Sequence, residues 1–309
     1  MYDDLAEAIE NQPSLARQPH NKPLDPGLYL VATPIGNLED ITLRALRVLK
    51  TVDRIACEDT RLTQKLLNYF GISTPTISCH EHNEQARTVE LLALLQQGGR
   101  IALVSDAGMP AISDPGLEFV RAAVAGGVRV IPVPGANAAL TALIASGLAT
   151  DRFLYSGFLA AKAGARRAEL EALAARMQPG EEPLTLVVYE APHRILETLA
   201  DVEAVWGQSV RVVAGRELTK LHEEFLRGTA QEVRDALAAR ERIRGEIVLL
   251  IEARPLAPQS KAVSLAQQVS ELMDAGGLDE KDALKRVARE RGVSKSEVYR
   301  ELQRERSKK

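Results

Sequence analysis

"LYLVATPIGNLEDIT", residues 28–42, begins as an apolar strand, breaks at Pro34 and Gly36, and runs on through Asn37, Glu39 and Asp40 into a stretch with helical spacing. Strand, tight turn and helix in immediate succession are the repeating unit of an open α/β sheet. The turn lacks the glycine spacing of a dinucleotide fingerprint, so it does not read as a pyrophosphate cradle.

The same alternation continues on both sides of this stretch. Strands are expected at 28–33, 52–58, 74–79, 101–106 and 129–134, with amphipathic helices between them. The helix after Asp40 groups Leu43, Leu46, Val48 and Leu49, and the one after His82 groups Val89, Leu92 and Leu95 before a Gly-Gly stop. After "GANAALTALIASGLATDR" a second run of strands is expected at 153–158, 184–190, 210–217, 223–228 and 246–252. The fold class is therefore α/β, with near-continuous Val/Ile/Leu runs marking strands covered on both faces. The expected organisation is an arm over 1–26, α/β domains over 27–150 and 151–254, a linker over 255–262 and a basic helical domain over 263–309. In the last, "SKSEVYRELQRERSKK" follows Gly292-Val293-Ser294 with the spacing of a helix-turn-helix.

At 309 residues the chain is long enough for two or three cores, and no run of about 18 apolar residues offers a membrane span. The first 26 residues fit neither a secretory signal nor a basic transit peptide. Two cysteines, Cys57 and Cys79, suit a reducing cytoplasm rather than a disulfide framework. The formal net charge of −3 hides an asymmetry: residues 281–309 hold eleven Lys or Arg against five Asp or Glu, leaving −9 for the remainder. Only the tail is a basic surface for nucleic acid.

Chemistry concentrates at strand ends. "SDAGMPAISDPG" (105–116) places two Ser-Asp pairs, two glycines and two prolines at the carboxyl edge, where open α/β sheets bind ligands. Asp106 can accept from a diol or an ammonium, and Ser113-Asp114 can cap a helix starting at Pro115. "VIPVPGANAAL" (130–140) offers backbone amides at a helix start. "CEDTR" gathers Glu58, Asp59 and Arg61, with Asp59 suited to an N-cap and Arg61 to a phosphodiester. "LVVYEAPHR" ends a strand with Tyr189-Glu190 and places His193 and Arg194 in the first turn of a helix, where an anionic partner would relieve the dipole conflict. "GRELTKLHEEFLRG" reads as a mutually paired, partly solvated hairpin. His80 and His82 stand two apart with no third histidine nearby, a poor metal signature, and no metal is expected.

These runs, in this order, resemble the motifs of the tetrapyrrole methylase family, the class III S-adenosylmethionine-dependent methyltransferases, and within it the members that act on small-subunit ribosomal RNA. The likeness rests on "VATPIGNLEDITLRAL", "CEDTR", "SDAGMPAISDPG", "VPGANAALTAL", "GFL", "YEAPHR", "RELTK" and "GEIVLLIE". It implies two α/β domains with the cofactor in the cleft between them, a homodimer, and methylation of a cytidine ribose 2′-oxygen in the decoding region of 16S rRNA, on naked RNA or an assembled subunit. Carried over to this chain, S-adenosylmethionine would be held by Pro34, Asp106, Gly108, Met109, Ile112, Ser113, Ala136, Asn137, Tyr189, Gly245, Glu246 and Ile247. Asp59, Arg61, His193 and Arg194 would meet RNA, and Glu58 and Glu190 would be the bases. The readings set beside this one are a methyltransferase of a precorrin-like molecule and a ligand-sensing regulator that binds nucleic acid.

Overall fold

The computed structural model describes residues 23–178, 180–255, 269, 272–273, 279–291 and 295–306. Most of the expected N-terminal arm, residues 256–262 of the linker, most of the first tail helix and the Gly292–Ser294 turn lie outside the described residues.

The first sheet contains β1 (Gly27–Val31), β2 (Arg54–Cys57), β3 (Thr76–Ser78), β4 (Arg100–Leu103) and β5 (Val130–Val133), all parallel in the order β3-β2-β4-β1-β5. Between them run α1 (Leu43–Thr51), α2 (Thr60–Tyr69), α3 (Glu84–Gln96) and α4 (Leu117–Ala125). Alternate residues along a strand face opposite sides, and the packing follows that rule. Tyr29, Val31 and Ile55 bury against Ala45, Val48 and Leu49 of α1 and Leu67 of α2, while Leu28, Ala56, Ile101 and Leu103 meet Leu91 and Leu95 of α3 and Phe119 and Ala123 of α4.

Two helix faces differ from expectation. Leu43 and Val89 point to solvent, and the buried positions are Ala45, Val48 and Leu49 in α1 and Leu91 with Leu95 in α3. In each helix the apolar stripe is wider than one face, and only the location of the sheet selects the side that is covered.

The second sheet is mixed. It holds β6 (Phe153–Phe158), β7 (Leu184–Glu190), β8 (Arg211–Arg216), β9 (Glu224–Thr229) and β10 (Ile247–Ala253) in the order β6-β7-β10-β8-β9, with only β6 and β7 parallel. Helix α5 (Ala138–Ser146) precedes these strands in sequence yet packs onto them: Ala139, Ala142 and Leu143 bury against Val187, Val213, Val248 and Leu250. Through α5 the chain leaving β5 is tied to the second sheet, which brings the strand ends of both sheets to one place. Helices α6 (Ala163–Arg176), α7 (Ile195–Trp206) and α8 (Ala230–Ala238) complete this half. Thr229 and Glu232 form a reciprocal capping box at the start of α8.

The tail contributes α9 (Glu280–Arg291) and α10 (Lys295–Arg306), whose Leu284, Val287, Val298 and Leu302 share a small core with Val269. Among the described residues no helix is long and apolar enough to cross a membrane.

Candidate functional site

The first turn is stitched to the loop after β4. Thr33 N–H donates to Gly108 O at 2.9 Å, Gly108 N–H returns a bond to Thr33 O at 3.1 Å, and the Thr33 hydroxyl donates to Ser105 O at 3.1 Å. Gly36 lets this turn meet the second sheet. A Cβ there would stand 2.4 Å from Lys220 Cγ and 3.0 Å from Leu218 O, and the next residue, Asn37, donates its N–H to Thr219 Oγ1 at 3.1 Å. The acidic residues that follow lie in a 3-10 turn (Leu38–Asp40) capped by Asn37, and the cap of α1 is Thr42, whose side chain accepts from Ala45 N–H.

The 105–116 loop is held at both ends. Ser113 shares a 2.6 Å hydrogen bond with the Tyr155 hydroxyl of β6. At the other end Glu84 Oε1 accepts from the backbone N–H groups of Gly116, Glu118 and Phe119 at 3.0, 3.1 and 3.3 Å. The cap of α4 therefore comes from Glu84 at the start of α3. Ser113-Asp114 does not cap that helix, which begins at Leu117 after Gly116; Asp114 lines a cavity instead. Among the described residues, the non-glycine residues with positive φ are Ala111, Ser113, Glu217 and Thr219, in the loops that carry the lining residues Ile112 to Asp114 and Leu218. Such conformations cost of order 1–3 kcal/mol each and persist where surrounding bonds enforce them.

The cavity has a volume of about 370 Å³, within the range of small-molecule sites. Its first-sheet wall comes from Ile35, Ala107 to Met109, Ile112 to Asp114, Asn137 and Ala138. The second sheet supplies Phe158, Tyr189 to Pro192, Leu218 and Gly245 to Val248. Asn137 caps α5, its Oδ1 accepting from Leu140 N–H at 2.9 Å. Tyr189 stands edge-on to both Tyr155 and Phe158, with ring centroids 5.3 and 5.7 Å apart. Burial, reinforced by Tyr155, raises the Tyr189 phenol well above its ordinary value.

Burial also pushes the Asp114 carboxyl up to about 6, with Glu58 and Asp106 adding repulsion. Glu58 is raised as well, first by burial and then by Asp106. Asp59 is held down at about 2 by its hydrogen bonds from Arg61.

Of the residues expected to hold a cofactor, Gly108, Met109, Ile112, Ser113, Asn137, Tyr189, Gly245, Glu246 and Ile247 line the cavity. Pro34, Asp106 and Ala136 stand beside it without lining it; Asp106 Oδ1 instead accepts from Asp59 N–H at 3.1 Å. Asp59 does cap α2, accepting from Arg61 N–H at 2.8 Å, and also pairs with the Arg61 guanidinium, which stays 86% exposed. His193 is exposed. His80 and His82 meet only edge to face, and no group of three possible ligands for a metal ion occurs among the described residues.

Two expectations about the 189–194 segment change. Helix α7 starts at Ile195, so His193 and Arg194 precede its first turn. The anion that relieves Arg194 belongs to the chain: Glu190, fully buried, lies 3.2 Å from Arg194 Nε, and Arg194 also donates to Leu159 O at 2.9 Å. Glu190 further accepts from Thr198 Oγ1 at 2.6 Å and Ala191 N–H at 2.8 Å. With two neutral donors and the Arg194 cation on its oxygens, Glu190 anchors Arg194, which in turn holds the loop after β6 through the Leu159 carbonyl. Sequence reading missed Ile35, Phe158, Leu218 and the inward turn of Asp114; the "GFL" motif and the second Ser-Asp pair were the available signals.

The paired hairpin after β8 is as expected. Lys220 bonds Glu217 at 2.9 Å and Glu246 at 2.8 Å, and Glu224 on β9 takes both Arg240 and Arg216. Arg240 first, then Arg216, pull the Glu224 carboxyl from 4.5 to about 2. A depressed carboxyl stabilises the fold above its unfolded value and loses that contribution as pH falls through the folded one. Glu224→Gln should therefore be less stable than the natural chain by about 1 kcal/mol at neutral pH after solvent screening. Acid denaturation should show the gap closing between 4.5 and about 2.

Residues 27–234 match the family model of the tetrapyrrole (corrin/porphyrin) methylases. Curated relatives include the protein named ribosomal RNA small subunit methyltransferase I in Halalkalibacterium halodurans, 49% identical over 88% of this chain and 93% of that one. Its namesakes in Bacillus subtilis and Pseudomonas aeruginosa are 45% and 46% identical, covering 88% and 90% of this chain and 92% and 97% of theirs. Among solved structures, Thermus thermophilus uroporphyrin-III C-methyltransferase complexed with S-adenosyl homocysteine superposes with TM-score 0.51 at 19% identity, covering 74% of this chain and 98% of that one. Diphthine synthase does so with TM-score 0.54 at 14% identity, covering 74% and 91%, and these two share the fold. By the family match and the identities across most of its length, this chain belongs to the tetrapyrrole (corrin/porphyrin) methylase family.

Proposed function

We propose that the protein is an S-adenosylmethionine-dependent methyltransferase of 16S ribosomal RNA that modifies the ribose 2′-oxygen of a cytidine in the decoding region, acting as a cytoplasmic homodimer. The observation that carries this reading is 45–49% identity, over 88% of the chain, to relatives named for small-subunit rRNA methylation.

The cavity suits the cofactor. Ile35, Met109, Ile112, Leu218 and Val248 offer apolar walls for a flat purine, and backbone groups at 107–109 and 245–247 can meet its polar edges. Pro34 and Ala136 back the lining, while Asp106 fixes the start of α2 through Asp59. When bound, the cofactor supplies an electrophilic methyl group on a sulfonium.

The chain's task is to hold an RNA hydroxyl in line with that methyl, and such positioning contributes on the order of 7 kcal/mol. Arg61 and His193, both exposed, are assigned to RNA phosphates, with Asp59 orienting Arg61. Arg194 is assigned to Glu190 and the 159–160 carbonyls instead. Methyl-labelled cofactor incubated with unmodified small subunits should label one cytidine ribose, mapped by mass spectrometry. Label appearing only on a precorrin, or on no RNA, would sink the reading.

The tail is proposed to bind RNA by neutralising phosphates. Deleting residues 258–309 should weaken rRNA affinity by about tenfold or more at low salt and flatten its salt dependence. Cofactor affinity should be unchanged, and equal RNA affinity at two salt concentrations would remove the claim.

A further inference from the structure

Three carboxylates line the cavity, and two are already engaged. Glu190 is held by Ala191 N–H, the Thr198 hydroxyl and Arg194, and Glu246 is paired with Lys220 at 2.8 Å. Asp114 is left with the hydroxyl of buried Ser105, and no cation among the described residues pairs with it. Glu58, the other carboxylate expected to act on protons, does not line the cavity.

The backbone on either side of Asp114 is also held. Before it, Ser113 is locked at φ 59° with its hydroxyl on Tyr155, and after it Glu84 clamps the N–H groups of Gly116, Glu118 and Phe119. A strained backbone fixed from two sides is a device for aiming one side chain. Resting on the functional reading above, we propose that Asp114 is the catalytic residue that accepts the proton of the ribose 2′-hydroxyl.

In that step the oxygen–methyl bond forms as the sulfur–methyl bond breaks. The bonding pair stays on sulfur, leaving S-adenosyl homocysteine, and the hydroxyl proton passes to an Asp114 oxygen. The groups facing Asp114 are Asp106 on its own loop, Glu58 at the end of β2, Ser105 after β4 and Tyr189 from β7, and none of them is a cation. Their setting keeps the Asp114 carboxyl near about 6, close to working pH, which is where a general base is most effective.

Single-turnover methylation should fall about tenfold per pH unit below about pH 6 in the natural chain. Asp114→Asn should lose about 100-fold or more in rate together with that acid limb, while cofactor and RNA affinities stay within about threefold; Asp114→Glu should restore part of the rate. A second readout is free of turnover. A carboxyl raised in the folded state stabilises the fold at low pH and loses that contribution as pH rises toward the folded value. The Tm of Asp114→Asn relative to the natural chain should therefore climb from about pH 4 to about pH 7. Near-normal turnover, a retained acid limb or a constant Tm gap in Asp114→Asn overturns this inference alone. Absence of any RNA methylation by the natural chain overturns the functional reading and takes this assignment with it.

Discussion

Asp201→Ala is expected to cost about 3–5 kcal/mol of folding stability, the range for removing one member of a buried ion pair. Asp201 is almost wholly buried on α7, and its two oxygens take Arg166 Nε and Arg167 Nη2, each at 2.8 Å. Arg166 has no exposed side-chain surface. Without Asp201 its guanidinium would keep only the Ala161 carbonyl and Glu197, both at 3.4 Å. Urea titration should show the loss, whereas Arg167→Ala, half exposed, should cost about 1 kcal/mol or less. An Asp201→Ala protein within about 1 kcal/mol of the natural chain would show that water reaches Arg166 and screens it. The consequence reaches the site, since Arg166 and Arg194 both bond carbonyls of the segment that follows Phe158.

Gly36→Val should remove about 100-fold of methyl-transfer rate while leaving the fold cooperative, as expected when reacting groups are displaced by about 1 Å. The added carbons would enter the space held by Lys220 Cγ, Thr219 Oγ1 and the Leu218 carbonyl. Because Leu218 O is backbone, the clash cannot be relieved by rotating a side chain; the first turn must lift from the 217–220 loop and take Ile35 out of the cavity wall. Cofactor titration by calorimetry together with single-turnover rates checks this. Unaltered values for both would show that the two loops separate without consequence. Gly36 is thus a site of close approach between backbones, and its conservation of space has nothing to do with phosphate.

All ten strands among the described residues lie close to where periodicity and turn residues place them, because most are short runs of Val, Ile, Leu and Ala bounded by polar or glycine-rich turns. Helix faces were less legible. Leu43 and Val89 satisfy helical spacing as well as their neighbours do, and spacing alone does not say which edge of a broad apolar stripe the sheet will cover. Most of the residues expected around the cofactor line the cavity because they lie at strand ends, where an open sheet gathers its loops. The pairing of Glu190 with Arg194 was not legible for a physical reason: an exposed pair and a buried pair have the same letters, and only the structure shows these two buried against each other.

The order of apolar runs, turns and helical stripes in this sequence determined a two-sheet α/β protein, and its strand-end motifs marked the edge where the chemistry sits. Tertiary structure alone decided the rest. The packing of α5 onto the second sheet brings separate strand ends around one cavity, and desolvation inside it leaves Asp114 without a cation while Glu190 acquires one. Proton affinity and ion pairing depend on what lies within a few ångströms in space, which spacing along the chain does not specify.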